Sequence, residues 1–217
     1  MSSPQNNSWT CPEKALDYVQ RADSIPHRVE GESTLLEFVP RSTQRVLDLG
    51  SGAGRLLGLV RSLLPHAEFV ALDFSPAMFE HFRAAFPDEE RIKIVEHDMQ
   101  NPLPALGRFD AVVSSFAIHH LTHERKRGVY AEVFDLLEPG GVFCNLEHVA
   151  SRSERLHVEF LEKMGLRPDQ EDAENKLLDL ETQLRWLREI GFSDVDCQWK
   201  WRELALLVGV KPQQNER

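Results

Sequence analysis

Val46-Leu47-Asp48-Leu49-Gly50-Ser51-Gly52-Ala53-Gly54-Arg55 joins an apolar run to a glycine-rich turn and then to a helical pattern. Glycine at such a turn lets the backbone bend tightly and lets a ligand approach where a Cβ would otherwise stand. The stretch reads as a strand, a loop that cradles a nucleotide-type ligand, and a helix. Its spacing is GxGxG, so the third glycine of the dinucleotide fingerprint GxGxxG falls on Arg55. The acidic Asp48, two residues before Gly50, is also poorly placed beside a pyrophosphate. Both departures favour a ligand without a diphosphate.

On either side, short apolar runs at 45–49, 69–72, 92–95, 111–113 and 142–146 alternate with longer helical patterns. Val46 and Val70 are 24 residues apart and Val70 and Ile92 are 22 apart, room for a strand, a helix and two short loops. Ser75-Pro76 supplies an N-cap hydroxyl and a proline at the first helical position, and Met78, Phe82 and Ala85 then recur on one face. Leu177, Leu180, Leu184 and Leu187 repeat at helical spacing until Gly191. Beyond them, 192–201 and 203–210 read as two strands with almost no loop, which must pair antiparallel because a parallel crossover needs a dozen residues. The fold expected is a doubly wound, Rossmann-like α/β domain. Its seven-stranded sheet has six parallel strands and one antiparallel strand, with helices on both faces.

The expected organisation is N-terminal helices closing over the ligand (1–44), a βαβ core (45–150), a helical insertion or substrate lid (151–178), a final helix with the antiparallel strand pair (179–210), and a frayed tail (211–217). If that insertion is a lid, Leu156, Phe160 and Met164 would face the pocket. The 217 residues, 41% hydrophobic and 28% charged, suit one globular domain, with 1–8 frayed like the tail. The formal charge of −10 disfavours binding that depends on neutralising many phosphates. Cys11, Cys144 and Cys197 form no CxxC pair and suggest a reducing compartment. The absence of a leader pattern or a long apolar run gives a cytoplasmic expectation with no membrane partner.

Asp73 ends the second strand 23 residues after Gly50, near the spacing at which a carboxylate meets ribose hydroxyls. Asp98-Met99 ends the third strand and offers a carboxylate for an exocyclic amine and a thioether for a base face. With these residues the chain resembles the class I S-adenosylmethionine-dependent methyltransferases, through VLDLGSGAG, VALDFSPAM, VEHDMQ, FDAVVSSFAIHHL and LLEPGG in that order. The resemblance implies S-adenosylmethionine as cofactor. Gly50, Ser51 and Gly52 would line its methionine and ribose part, beside Asp48. Asp73 would hold the ribose with Phe74 against the adenine, Asp98 and Met99 would take the adenine amine and ring, and Ser114 or Ser115 would lie near the sulfonium. The flanks are similar to the branch containing carboxy-S-adenosylmethionine synthase, through Arg21-Ala22-Asp23-Ser24-Ile25-Pro26, Asp73-Phe74-Ser75-Pro76-Ala77-Met78 and Leu180-Glu181-Thr182. Arg28, placed with the cofactor residues, stands where that branch has a tyrosine. The arginine that reads the carboxylated cofactor there falls on Trp186, with Arg185 next to it. Ordinary methyl transfer to a small molecule is therefore the leading reading. The others are a tRNA-modifying enzyme using either form of the cofactor, and a non-catalytic cofactor-binding protein.

Transfer from a sulfonium is an in-line displacement in which alignment supplies much of the rate, and a base is needed only when the acceptor loses a proton. His119 and His120 beyond the fourth strand, and Glu147 or His148 at the end of the fifth, are the candidates, because ligands bind at strand carboxyl ends in such sheets. No metal is assigned: His119, His120 and His123 have no carboxylate or cysteine placed with them. Trp199 and Trp201 read as cover for helices or the pocket rather than a base-stacking platform, and Arg125-Lys126-Arg127 as a solvated helix turn.

Overall fold

The computed structural model describes residues 21, 24–87 and 89–213. The 1–8 stretch, Cys11, most of the N-terminal helices expected before residue 28, and Ala22-Asp23 lie outside the described residues. The elements run α1 (Arg28–Phe38), β1 (Arg45–Leu49), α2 (Arg55–Leu63), β2 (Glu68–Asp73), α3 (Pro76–Ala85), β3 (Ile92–Glu96), β4 (Phe109–Ser115), α4 (His123–Leu136), β5 (Leu137–His148), α5 (Glu154–Lys163), α6 (Leu180–Ile190), β6 (Ser193–Trp201) and β7 (Leu204–Val210). Single 3-10 turns occupy Ile118–His120 and Pro168–Gln170.

Strand order is β3-β2-β1-β4-β5-β7-β6. The first five run parallel, and β7 is antiparallel to both β5 and β6, so six strands share one direction. The alternation of side chains along a strand builds the two layers. Val46 of β1 joins Leu35 of α1, Leu57 and Val60 of α2 and Phe79 and Phe82 of α3 on one face. Leu47 and Leu49 join Val129 and Val133 of α4 and Leu187 of α6 on the other. Each such burial stabilises by about 1.5–3 kcal/mol relative to exposure. No described helix is long and apolar enough to cross a membrane.

Three expectations change. The last helix starts at Leu180 rather than Leu177, because Asp179 caps it by accepting from the Thr182 amide at 2.8 Å. Lys211, the first residue of the expected tail, is held: its Nζ donates to the carbonyls of Phe134 and Leu137 at 2.7 Å each, and residues 214–217 lie outside the described residues. The basic run is not a solvated turn. Lys126 is fully buried and donates to the carbonyls of His119 (3.0 Å), Leu121 (2.5 Å) and Lys176 (2.7 Å), while Arg125 grips Glu132 and the Met99 carbonyl. Lys126→Met is expected to cost roughly 3 kcal/mol, since it leaves buried carbonyls without a donor. Chemical denaturation checks this, and a variant as stable as wild type would refute the assigned role.

Candidate functional site

β1 pairs with β2 on one side and β4 on the other, so the connections leaving β1 and β4 diverge and open a crevice at their carboxyl ends. Into it projects the glycine loop. Gly50, Gly52 and Gly54 have φ of +69°, +52° and +86°, a region that L side chains rarely adopt. The Gly50 and Ser51 amides donate to the Leu72 carbonyl at 2.8 and 3.1 Å, and the Gly52 amide to Asp73 Oδ2 at 2.8 Å. Asp73 Oδ1 accepts from the Ser75 amide at 2.9 Å, so one carboxylate ties the loop to the start of α3.

A cavity of about 490 Å³ lies over this loop, lined among others by Arg28, Asp48, Gly50, Ser51, Gly52 and Ser115. Three buried polar groups on its wall, the Asp48 carboxyl and the hydroxyls of Ser51 and Ser115, meet no side-chain hydrogen-bond partner, and the Leu57 amide alone pulls on Asp48. Burial, with the Asp73 charge added to it, pushes the Asp48 carboxyl up to about 8. Burial also raises Asp73, against the amides that donate to it. The Asp48 carboxyl and two hydroxyls around a glycine-rich loop, with the Asp73 carboxylate behind it, fit a cationic ligand that bears hydroxyl groups, and S-adenosylmethionine is such a ligand.

Of the serine pair, only Ser115 lines the cavity. The Ser114 hydroxyl is buried and donates to the Leu49 carbonyl at 2.8 Å, bridging β4 to β1, so it is withdrawn from the cofactor residues. Met99 is buried beneath Gly50, its Cε 3.5 Å from where a Gly50 Cβ would stand. Phe74 is half-buried next to Asp73. Asp98 is half-buried, off the cavity wall, and accepts from the Gln100 amide at 2.8 Å.

Arg28 is held by a residue that sequence reasoning missed. Glu32 takes Arg28 Nε at 2.7 Å and Arg55 at 2.8 Å through two nitrogens, linking α1 to the first turn of α2. Burial pushes the Glu32 carboxyl up, but the two arginines outweigh it and hold it below the ordinary range. Arg55, which broke the dinucleotide pattern, is thus a structural anchor. The only sequence signal for Glu32 was its i,i+4 spacing from Arg28.

At the carboxyl ends of β4 and β5, His119 Nδ1 lies 2.6 Å from Glu147 Oε1, with both side chains buried. Glu147 Oε1 also accepts from the His148 amide, and Oε2 has no partner. Burial raises Glu147 to about 7, opposed by the Lys126 charge. The His120 ring is 4.1 Å from that of His119, and burial with the His119 charge takes it down to about 3. Burial holds His119 well below its usual value too, so both rings are neutral hydrogen-bonding groups. The segment after α5 closes over them, its Lys176 amide donating to the His119 carbonyl at 2.9 Å. Phe160 of α5 is buried against Leu161 and Leu204, with Met164, Trp199 and Trp201 packed around it, so it is core rather than pocket lining. Trp201 stacks on His27 at 4.4 Å and Trp199 packs on Gly31; both tryptophans cover α1.

Residues 46–141 match the methyltransferase domain family. The carboxy-S-adenosyl-L-methionine synthase of Klebsiella pneumoniae (strain 342) is 25% identical over 230 residues, 94% of this chain and 91% of that protein. An O-methyltransferase family protein from Burkholderia thailandensis shares the fold with a TM-score of 0.75 at 18% identity, covering 95% of this chain; the chain spans 62% of that protein's length. The N-methyltransferase NodS from Bradyrhizobium japonicum WM9, solved with S-adenosyl-L-homocysteine, gives 0.70 at 19% identity over 96% of this chain and all of its own. With the domain match over residues 46–141, the motif order and this sheet topology together, the chain is similar to the class I S-adenosylmethionine-dependent methyltransferases.

Proposed function

We propose that the protein transfers a methyl group from S-adenosylmethionine to a protic small molecule held at the carboxyl ends of β4 and β5. The observation that carries this is the row of buried polar groups without a side-chain partner, Asp48, Ser51 and Ser115, at the glycine loop. When bound, the cofactor supplies an electrophilic methyl group. Asp48 and Ser51 would receive its ammonium end, Arg28 its carboxylate, Asp73 its ribose hydroxyls, and Met99 with Phe74 and Asp98 its adenine. Gly50 and Gly52 would let it approach, and Ser115 would face the reacting centre. His119, Glu147 and His120 would form the polar floor on which the acceptor is oriented.

The test is calorimetric titration with S-adenosylmethionine, mass spectrometry of any small molecule carried through purification, and turnover on a panel of phenols, carboxylic acids and amines. Binding and transfer to a panel member are expected. Binding without transfer would favour the non-catalytic reading, and no binding would end both.

A second result is expected from the same titration. Below about pH 8 Asp48 is protonated in the free protein, so a cationic ligand must expel that proton. Affinity should tighten as pH rises toward about 8, with proton release below it. Stability without ligand runs the other way: it falls from the ordinary carboxylate range up to about 8, because the unfolded chain ionises this group first. Titration in buffers of different ionisation enthalpy at about pH 6.5 reads the proton directly, and Asp48→Asn should abolish it. Heats that do not depend on the buffer would remove Asp48 from this role.

The relatives named carboxy-S-adenosyl-L-methionine synthase support a second reading, carboxy-cofactor or tRNA-modification chemistry. Against it, Arg185 is exposed, 3.7 Å from Glu189, and Trp186 lies under Arg127 in a shallow groove between α4 and α6. A carboxylated sulfonium recovered by mass spectrometry would reverse the order of the two readings.

A further inference from the structure

Beside the His119–Glu147 pair stands a second histidine–carboxylate set. Glu203, in the turn between β6 and β7, is fully buried, and its one carboxylate meets two imidazoles: His148 Nε2 at 2.9 Å and His157 Nδ1 at 3.0 Å. His157, on α5, turns its Nε2 to Glu171 at 3.0 Å. The end of β5, the β6–β7 turn, α5 and the loop after it thus contribute one residue each to an unbroken hydrogen-bonded line. The His148 ring also packs on Phe160, at 5.1 Å, and presents an edge to His119, at 5.7 Å.

Burial pushes the Glu203 carboxyl up, but hydrogen bonds from His148, Ser151 and His157 outweigh it and hold it below the ordinary range. Burial lowers His157, but Glu203 and Glu171 outweigh that and favour its imidazolium. An imidazolium between two carboxylates leaves net negative charge behind His148. With Nε2–H donated to Glu203, His148 keeps its lone pair on Nδ1, which bonds to no described residue. Burial, with the positive charges of His148 and Lys126, holds His119 well below its usual value and makes it a poor base.

We propose that, in the methyl transfer put forward above, on which this inference rests, His148 is the catalytic base and Glu203, backed by His157 and Glu171, is its positioning carboxylate. The acceptor heteroatom forms the new bond to the methyl carbon with its own lone pair. The carbon–sulfur electron pair stays on sulfur. The acceptor's proton goes to His148 Nδ1 and from there to water. The negative charge behind the ring offsets the charge it gains, as an orienting carboxylate does for other catalytic histidines.

The test is ¹⁵N-histidine NMR of the full chain from about pH 5 to 9, with and without S-adenosylhomocysteine, His148 being assigned by its loss in His148→Gln. The Nε2–H tautomer is expected in wild type. In Glu203→Gln that preference should be lost and the titration should move to lower pH. His157→Gln should move it the same way by less, and serves if Glu203→Gln fails to fold. On the acceptor found by the panel, His148→Gln should lower kcat about 100-fold and remove the acid limb of its pH profile, with cofactor affinity kept within about twofold. Glu203→Gln should lower kcat about tenfold, partly rescued by Glu203→Asp. An Nδ1–H tautomer in wild type, or an unchanged kcat and limb in His148→Gln, overturns the proposal. A wild-type protein that binds cofactor but methylates nothing, with the tautomer as expected, overturns the methyl-transfer reading and the base role with it, while the positioning geometry stands.

Discussion

Asp73→Ala is expected to raise the dissociation constant for S-adenosylmethionine at least about 100-fold, because two hydrogen bonds from ribose hydroxyls to a carboxylate are worth roughly 1.5–3 kcal/mol each. The same substitution should also lower the melting temperature of the free protein. Asp73 Oδ2 holds the Gly52 amide and Oδ1 the Ser75 amide, so removing the side chain frees both the glycine loop and the first turn of α3. The two effects separate in Asp73→Asn, whose amide oxygen can still accept from one backbone N–H while its charge is gone. Asn should recover part of the lost stability and little of the lost affinity. Calorimetric titration with parallel thermal melts reads both. If Asp73→Ala bound the cofactor as wild type does, Asp73 would be a loop brace only, and the ribose would have to be held elsewhere.

Where the sequence was readable, it was readable because the controlling interaction is local or periodic. The strand-to-glycine turn at 46–55 and the Ser75-Pro76 cap are set by neighbouring residues, and the closing hairpin by the two residues that separate its strands. The Ser114/Ser115 choice was not readable in that way. It depends on which pleat face of β4 meets β1, and that follows only once Ser114 is seen opposite Leu49 in the register. Lys126 shows the limit most clearly. In a short window it is one cation among three, yet one of its three carbonyl partners belongs to Lys176, 50 residues away. The Glu203 set is the same problem again, since His148, His157 and Glu171 reach one carboxylate line from separate elements, and no spacing rule joins them. Polar groups that satisfy one another across the fold leave no periodic trace, so the histidine–carboxylate side of this site was harder to read than the glycine-loop side.

Gly50→Ala should be as damaging as loss of Asp73, for a steric rather than an electrostatic reason. Gly50 sits at φ +69°, where an L residue costs roughly 1–2 kcal/mol, and a Cβ there would fall inside the Ala117 methyl. Ala117 follows Phe116, itself at φ +52°, in the segment leaving β4, so neither backbone is placed to yield. The added methyl must therefore push apart the loop after β1 and the segment after β4, the two walls of the crevice. Met99, whose Cε is 3.5 Å from the same position, would be displaced with them. The expected result is a lower melting temperature and a loss of cofactor affinity of at least about 100-fold, with the helices' circular dichroism retained. Gly52→Ala is the control. It also has a positive φ, but only Met78 Sδ, at 3.9 Å, comes within reach of its Cβ. It should show the backbone strain without the wedge, and so a smaller loss of stability than Gly50→Ala. Equal losses in the two variants would mean that conformational strain alone governs the loop, and the close approach of β1 and β4 would then have no part in shaping the cofactor site.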